Sequence, residues 1–203
     1  MRREYPGVEF CRYADDGVIH FKSYHQAEAL LGKLAERFLS CGLEIHPLKT
    51  KIVYCKTEKR KGKFKNVCFD FLGFTFRPRP ARDKSGKVFL SYLPGVSKDS
   101  LTHMRQEVRQ WKIHLKPSVG LEHLSKMFNS KIRGWINYYS KFYKSGLYPL
   151  WISINKCLIK WIRRKYKRFA TNQTKAVYLL GEIAHKKTFL FSHWEFGLRP
   201  TRE

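Results

Sequence analysis

Acidic residues are scarce in this chain. Its 203 residues hold 16 Asp and Glu against 41 Lys and Arg, which gives a formal net charge of +25. Such a surplus repels itself in the folded state and indicates a polyanionic partner, either nucleic acid or an anionic membrane surface. Because 43% of the residues are hydrophobic and 15% are aromatic, the composition excludes a disordered basic tail.

Long apolar runs are missing as well. No uninterrupted apolar stretch approaches the ~18 residues that a membrane span requires. The first residues, Met1–Pro6, lack the apolar core of a signal peptide. We therefore expect no membrane partner and a cytoplasmic, nucleic-acid-associated location, with an organelle as an open alternative.

Paired cysteines are also lacking. The five cysteines are odd in number and widely spaced, with no Cys-x-x-Cys pattern or zinc-type Cys/His cluster: Cys11, Cys41, Cys55, Cys68 and Cys157. We expect them to be small buried side chains in a reducing compartment and assign none of them a function.

Two adjacent acids stand between two strand-like runs near the start of the chain. Tyr13-Ala14-Asp15-Asp16-Gly17 lies between Val8–Tyr13 and Val18–Phe21, which predicts a β-hairpin with the acids at its turn. Adjacent carboxylates repel each other, and a hard divalent cation can compensate for that repulsion. Such a metal can assist phosphoryl transfer. The alternative is an ordinary turn, since Asp and Gly favour turns.

The rest of the first half alternates between helical and strand-like patterns. Ser23 and Gln26 predict the N-terminus of a helix that runs to Phe38. Strand-like segments follow at 51–55 and 67–76, and Gly73 suggests a bend or a close approach by another backbone. Residues 1–92 are thus predicted to form one domain with a short antiparallel sheet and a helix.

Beyond Pro94 the apolar residues follow helical spacing alone. Three amphipathic runs, at 101–115, 121–142 and 154–166, are separated by turns at 117–120 and 145–149. We predict an all-α three-helix domain at 93–169, followed by a C-terminal tail at 170–203. The expected fold class is therefore α+β.

Basic residues concentrate in this helical part. Between Lys98 and Arg168 the sequence holds 17 Lys and Arg against three acids, Asp99, Glu107 and Glu122. The last predicted helix carries the densest group, which we predict to bind nucleic acid: Lys156, Lys160, Arg163, Arg164, Lys165, Lys167 and Arg168. For any one of these side chains, a solvated surface is the alternative.

Several motifs together resemble one family. The segments at 10–16 (FCRYADD), 42–51 (GLEIHPLKTK) and 69–74 (FDFLGF) resemble, in order and spacing, successive palm motifs of the reverse transcriptases encoded by group II introns. The third of these motifs is the primer grip. The segment at 133–139 (RGWINYY) resembles the thumb, or maturase-specific domain, of the same enzymes. The likeness covers residues 10–169.

The resemblance implies roles for the palm residues. Asp15 and Asp16 would bind Mg²⁺, with Asp15 as the more direct ligand, and Lys49 would lie near the nucleotide phosphates. The residues expected to contact the primer or nucleotide are Tyr13, Ala14, Phe71, Leu72 and Gly73. For the last three, ordinary strand core is the alternative.

The resemblance also implies RNA partners. The helical domain would grip a template–primer duplex and bind the group II intron RNA to assist its splicing. Lys131 and Arg133 join the basic residues of the last helix as predicted RNA contacts. Trp135 and Tyr139 lie on the apolar stripe, where packing in the core is the alternative.

The sequence also departs from the family pattern. Palm domains of this kind use a third carboxylate upstream of the hairpin, together with a fingers domain. Only nine residues precede Phe10, and neither Glu4 nor Glu9 lies in the expected motif. We expect the C-terminal part of a reverse transcriptase/maturase that does not polymerise alone, or one half of a pair completed by a separate N-terminal half. The alternatives are a non-catalytic RNA-binding splicing cofactor and a decayed fragment.

Overall fold

The computed structural model describes residues 7–200, so the expectations for Met1–Pro6, including Glu4, lie outside the described residues. The chain divides into two compact units. The first unit contains the residues up to Phe71 together with Arg77–Tyr92. The second, which we call the helical unit, contains Leu72–Phe76 and the chain from Leu93 onward.

The first unit begins with the predicted hairpin. Strands β1 (Glu9–Tyr13) and β2 (Asp16–His20) pair antiparallel, with Tyr13 opposite Asp16. Helix α1 (Tyr24–Leu39) follows, and the Ser23 hydroxyl accepts a hydrogen bond of 3.3 Å from the Gln26 backbone N–H. This contact confirms Ser23 as the N-cap.

A three-stranded antiparallel sheet comes next, in the order β3 (Phe69–Phe71), β4 (Phe74–Arg82) and β5 (Val88–Val96). The strand predicted at 67–76 is interrupted, because Leu72 and Gly73 form a turn between β3 and β4.

The strand predicted at 51–55 is wrong. This segment has no regular secondary structure. Two contacts with Asn66 hold it instead: the Tyr54 backbone N–H donates to the Asn66 carbonyl at 2.9 Å, and the Asn66 side-chain amide donates to the Ile52 carbonyl at 3.3 Å. Too few backbone bonds form here to make a ladder.

Five α-helices form most of the helical unit. They are α2 (Lys98–Gln110), α3 (Leu121–Tyr139), α4 (Tyr148–Lys165), α5 (Gln173–Lys186) and α6 (Ser192–Glu195). The three predicted helices correspond to α2, α3 and α4. Helix α2 ends before Leu115, since Lys112 adopts a left-handed φ of +47° and a short 3₁₀ turn follows. The α+β fold class is confirmed.

The core of the helical unit is centred on α4, which packs against α2 and α5. Ile154, Leu158 and Ile162 of this helix are fully buried. The ring of Trp111 stacks on Phe128 with a centroid distance of 4.3 Å. Helices α5 and α6 add buried side chains to the same core: Ala176, Leu180, Ala184 and Trp194.

Burial of the cysteines follows a different pattern from the predicted one. Cys11, Cys41 and Cys68 are exposed, so their predicted burial is wrong, while Cys55 and Cys157 are half-buried. Cys11 lies in β1, and every residue of that strand is exposed. Across residues 7–200, no helix has both the length and the apolar character that crossing a bilayer requires.

Candidate nucleic-acid interface and acidic hairpin

The turn of the β1–β2 hairpin places both acids on the surface. Ala14 and Asp15 are its central residues, and Ala14 has a left-handed φ of +48°, which costs an alanine about 1 kcal/mol. The Arg12 guanidinium Nε donates a hydrogen bond of 2.8 Å to the Ala14 carbonyl and so stabilises the turn. Asp15 lies in the turn and Asp16 begins β2, and both are exposed.

The hairpin acids do not form a complete metal site among residues 7–200. Within that range, no group of three or more His, Cys, Asp or Glu side chains is placed to hold a metal ion. Two carboxylates have the right chemistry for Mg²⁺, but they provide too few ligands to fix its geometry. The described residues therefore do not by themselves fit the Mg²⁺ of a polymerase.

Lys49 lies in an exposed turn at 47–49. The backbone N–H of Thr50 closes this turn by donating to the His46 carbonyl at 3.0 Å. In the described part of the chain, no hydrogen bond or ion pair joins Lys49 to Asp15 or Asp16.

The three predicted primer-grip residues lie at the end of β3 and in the turn that follows. Phe71 is the last residue of β3 and is half-buried. Leu72 and Gly73 form the turn itself and belong to the helical unit. The alternative of ordinary strand core is therefore wrong for Leu72, which is exposed in the turn.

Helix α4 carries a row of exposed cations. Lys156, Lys160 and Arg164 are four residues apart, so they share one face of the helix.

The neighbouring thiol of Cys157 has a raised pKa because it is buried, an effect that Lys160 and Arg109 oppose by their positive charge. Since α2 packs against α4, Arg109 extends this cationic face. Arg109 was not among the predicted contacts; its spacing of four residues from Arg105, which puts both on one face of the predicted helix, was the available signal.

Lys165 and Arg163 point to neighbouring backbone. The Lys165 amine donates to the carbonyls of Pro117 at 2.7 Å and Val119 at 3.2 Å, and it lies 5.3 Å from the Trp161 ring centroid. The Arg163 guanidinium donates two hydrogen bonds, of 3.1 and 2.8 Å, to the Ala170 carbonyl. Both side chains stabilise adjacent loops, which reduces their availability to a ligand.

The remaining predicted contacts differ in their surroundings. Lys167 and Arg168 follow α4 and are exposed, with the Arg168 guanidinium 4.7 Å from the Phe169 ring centroid. On α3, Arg133 is exposed, whereas Lys131 forms an ion pair with Glu107.

Two of the few acids in the helical unit are neutralised by lysines. Glu107 pairs with Lys131, and Glu122 accepts a hydrogen bond of 2.7 Å from the Lys187 amine. That hydrogen bond holds the pKa of the Glu122 carboxyl below its usual value. Each of these pairs is electrically neutral, and the remaining Lys and Arg of the unit far outnumber its acids, so the potential of the unit stays positive.

Family models match two segments of the chain. Residues 1–76 match the model of the reverse transcriptase (RNA-dependent DNA polymerase) family. Residues 101–178 match the model of the group II intron maturase-specific domain. The chain belongs to the group II intron reverse transcriptase/maturase family.

One relative is itself an intron product. The "Uncharacterized 91 kDa protein in cob intron" of Schizosaccharomyces pombe (strain 972) is 29% identical over 174 residues. The match covers 77% of this chain and 20% of the relative, so the chain spans about one fifth of that protein's length.

The two family segments do not coincide with the two compact units. The reverse-transcriptase match runs to Phe76, so it includes Leu72–Phe76 of the helical unit. The maturase match covers most of α2, all of α3 and α4, and the start of α5. Helix α6 and most of α5 lie beyond it, although they bury side chains in the same core.

Proposed function

We propose that this reverse transcriptase/maturase chain binds group II intron RNA through one cationic surface of its helical unit. We call it the basic surface and define it by the exposed cations on and beside α4: Arg109, Lys156, Lys160, Arg164, Lys167 and Arg168. The row of exposed cations along α4, in a unit with few acids, is the observation that carries the proposal. Membership of a maturase family, which acts on intron RNA, supports it.

Arg133 on α3 is proposed as an additional RNA contact, since its side chain is exposed. Lys131, Arg163 and Lys165 are proposed as weaker contacts, because each is already engaged within the protein. We also propose that residues 1–92 act as the palm portion and that residues 93–169 act as the RNA-binding domain. Residues 170–203 then form a C-terminal segment.

The basic surface makes a quantitative prediction. If six cations each meet a phosphate, affinity should fall by roughly 10³-fold between 50 and 200 mM salt. The affinity of the full chain for a structured group II intron RNA is measured by gel shift at both salt concentrations.

A matched pair of variants tests where the binding occurs. The first combines Lys156→Glu, Lys160→Glu and Arg164→Glu on the basic surface, and the second combines Lys59→Glu, Arg60→Glu and Lys61→Glu in the exposed basic loop of the first unit. Both change the net charge equally. We expect the first variant to lose affinity by roughly 10- to 100-fold and the second by much less. Equal losses would contradict the proposal and indicate diffuse attraction by net charge.

A second candidate function is RNA-directed DNA synthesis on a template–primer duplex. The exposed pair Asp15 and Asp16 at a hairpin turn favours it, because these carboxylates could share Mg²⁺ with further ligands. As the family motifs imply, we propose that Lys49 lies near the nucleotide phosphates. Contact with the primer or nucleotide is proposed for Tyr13, Ala14 and the turn at 72–73. The missing ligands would come from a separate N-terminal reverse-transcriptase half.

Primer extension on an RNA template with Mg²⁺ tests this second function. The purified chain is compared with its Asp15→Ala variant, each alone and with an N-terminal half supplied. Extension that requires both the added half and Asp15 would support the proposal. Absence of extension with RNA still bound would make the chain a non-catalytic splicing cofactor, whereas an insoluble, aggregated product would indicate a decayed fragment.

A further inference from the structure

The turn between β3 and β4 adopts a conformation that its sequence does not favour. Leu72 has a φ of +50° and Gly73 a φ of +76°. Positive φ at both central residues is the mark of type I′ hairpin turns, which favour Asn-Gly or Gly-Gly. Leucine has no polar side chain to stabilise the left-handed region locally. Contacts outside the turn must therefore contribute to its conformation.

Both carbonyls of the turn accept hydrogen bonds from elsewhere in the helical unit. The Tyr138 hydroxyl, on α3, donates to the Leu72 carbonyl at 2.9 Å. The backbone N–H of Ser97 donates to the Gly73 carbonyl, also at 2.9 Å. These two bonds fix the orientation of the peptide groups that follow Leu72 and Gly73.

A close approach to Gly73 adds a steric constraint. A Cβ atom placed on Gly73 would lie 2.9 Å from the Tyr139 hydroxyl oxygen and 2.9 Å from the Ser100 hydroxyl oxygen. Glycine is therefore needed here both for its φ and for the space that Tyr139 occupies.

Aromatic packing completes the contact. The Phe74 ring lies with its centroid 5.3 Å from that of Tyr138, 5.2 Å from that of Tyr139 and 6.1 Å from that of Phe142. Phe74 is the first residue of β4, so these rings anchor the strand directly after the turn. Residues 72–74, which belong to the helical unit, are thereby packed on the end of α3.

We propose that Tyr138 and Tyr139 are positioning residues that set the conformation of the Leu72–Gly73 turn for contact with a primer strand. The inference rests on the primer contact proposed above for Leu72 and Gly73. The turn remains accessible to such a ligand, since Leu72 is 36% exposed. Tyr138 acts through its hydroxyl, and Tyr139 acts through its fit against Gly73.

Tyr138→Phe is the sharpest test, because it removes only the hydroxyl and keeps the ring beside Phe74. Tyr148→Phe is a matched control: Tyr148 is 41% exposed on α4, and its hydroxyl has no hydrogen bond among the described residues. The affinity of the full chain is measured by fluorescence anisotropy for an RNA template carrying a recessed DNA primer, and for the same RNA without a primer.

We expect wild type and Tyr148→Phe to prefer the primed template. Tyr138→Phe should lose about fivefold in affinity for the primed template and keep its affinity for unprimed RNA. A purely structural role would lower both affinities together, so equal losses would overturn the inference. Equal affinities of Tyr138→Phe and Tyr148→Phe for primed template would overturn it as well. If wild type itself does not distinguish the two RNAs, the proposed primer contact fails, and the inference falls with it.

Hydrogen exchange gives a second readout that needs no nucleic acid. In Tyr138→Phe, the peptide covering residues 69–76 should exchange several-fold faster than in wild type, with peptides of α4 unchanged. Gly73→Ala should accelerate exchange in the same peptide more strongly. Unchanged exchange at 69–76 in Tyr138→Phe would overturn the positioning role.

Discussion

The helical unit buries a continuous apolar core, whereas the first unit has Leu30 as its sole buried hydrophobic side chain among the described residues. Large apolar side chains of the first unit are instead exposed, with Leu39 at 71% and Leu48 at 87%. The contacts that stabilise the first unit include hairpin pairing and the Ser23 cap.

The two units therefore differ in the source of their stability. A two-stranded hairpin is marginal in water without a packed face, while a helical core gains free energy from every buried side chain. We therefore expect the helical unit to dominate the free energy of unfolding. The first unit should open at lower cost.

The largest expected effect comes from truncating one leucine in each unit. Leu158→Ala removes a fully buried side chain of α4 and should lower the free energy of unfolding by about 2–5 kcal/mol. Leu39→Ala removes a side chain that is 71% exposed and should change it by no more than about 0.5 kcal/mol.

Urea unfolding is followed by far-UV circular dichroism, which reports the helices of both units, and by intrinsic fluorescence, which reports the helical unit. All five tryptophans belong to the helical unit: Trp111, Trp135, Trp151, Trp161 and Trp194. Similar shifts of the unfolding midpoint in Leu158→Ala and Leu39→Ala would contradict the contrast between the units.

Acid should weaken the helical unit through His193. This side chain is fully buried, and burial lowers its pKa to about 3. The unfolded chain binds a proton near pH 6.5, so His193 contributes stability above that pH and loses it as the pH falls toward 3, at roughly 1.4 kcal/mol per pH unit. His193→Gln should flatten the stability–pH curve in this window.

The His193 Nδ1 atom is buried and has no hydrogen-bond partner among the described residues, so a proton placed on it would be left unsatisfied. The Nε2 atom of the same ring lies 2.8 Å from the Asn155 side-chain oxygen, which also accepts a hydrogen bond of 3.0 Å from the Trp194 indole. Because His103 is exposed, His103→Gln serves as the control. A stability–pH curve that is equally steep in His193→Gln and wild type would contradict the assignment.

A smaller effect is expected at two helix N-caps. The Ser23 hydroxyl caps α1 in the first unit, and the Asn172 side chain caps α5 in the helical unit by accepting from the Lys175 N–H at 2.9 Å. Each change to alanine should cost about 1 kcal/mol. By hydrogen exchange, Ser23→Ala should affect α1 alone, while Asn172→Ala should lower global stability. A global loss from Ser23→Ala would show that the units unfold together.

The parts of the fold that depend on local pattern could be predicted from sequence. Apolar residues three and four positions apart indicated α2, α3 and α4, and the β-branched and aromatic flanks of the two acids indicated the hairpin. Helix α5 was missed because small residues, Ala176 and Ala184, form much of its buried face. A helix whose apolar stripe is alanine gives a weak signal.

Contacts between distant residues could not be predicted. Asn129 of α3 makes two hydrogen bonds, with the Leu190 carbonyl before α6 and with the N–H of Ser192, the first residue of α6. At the candidate interface, the basic residues were evident from composition. The Lys165 amine, in contrast, donates to carbonyls 46 and 48 residues away. These hydrogen bonds depend on the packing of α4 against the loop at 116–119.

Lysine footprinting is the sharpest test of RNA binding through the basic surface. The full chain is acetylated briefly, with and without group II intron RNA, and each lysine is quantified by mass spectrometry. The structure predicts that RNA protects Lys156, Lys160 and Lys167, that Lys165 reacts slowly in both samples, and that Lys59 and Lys61 are unchanged. Protection confined to Lys59 and Lys61, with Lys156 and Lys160 reacting as freely as without RNA, would contradict the account.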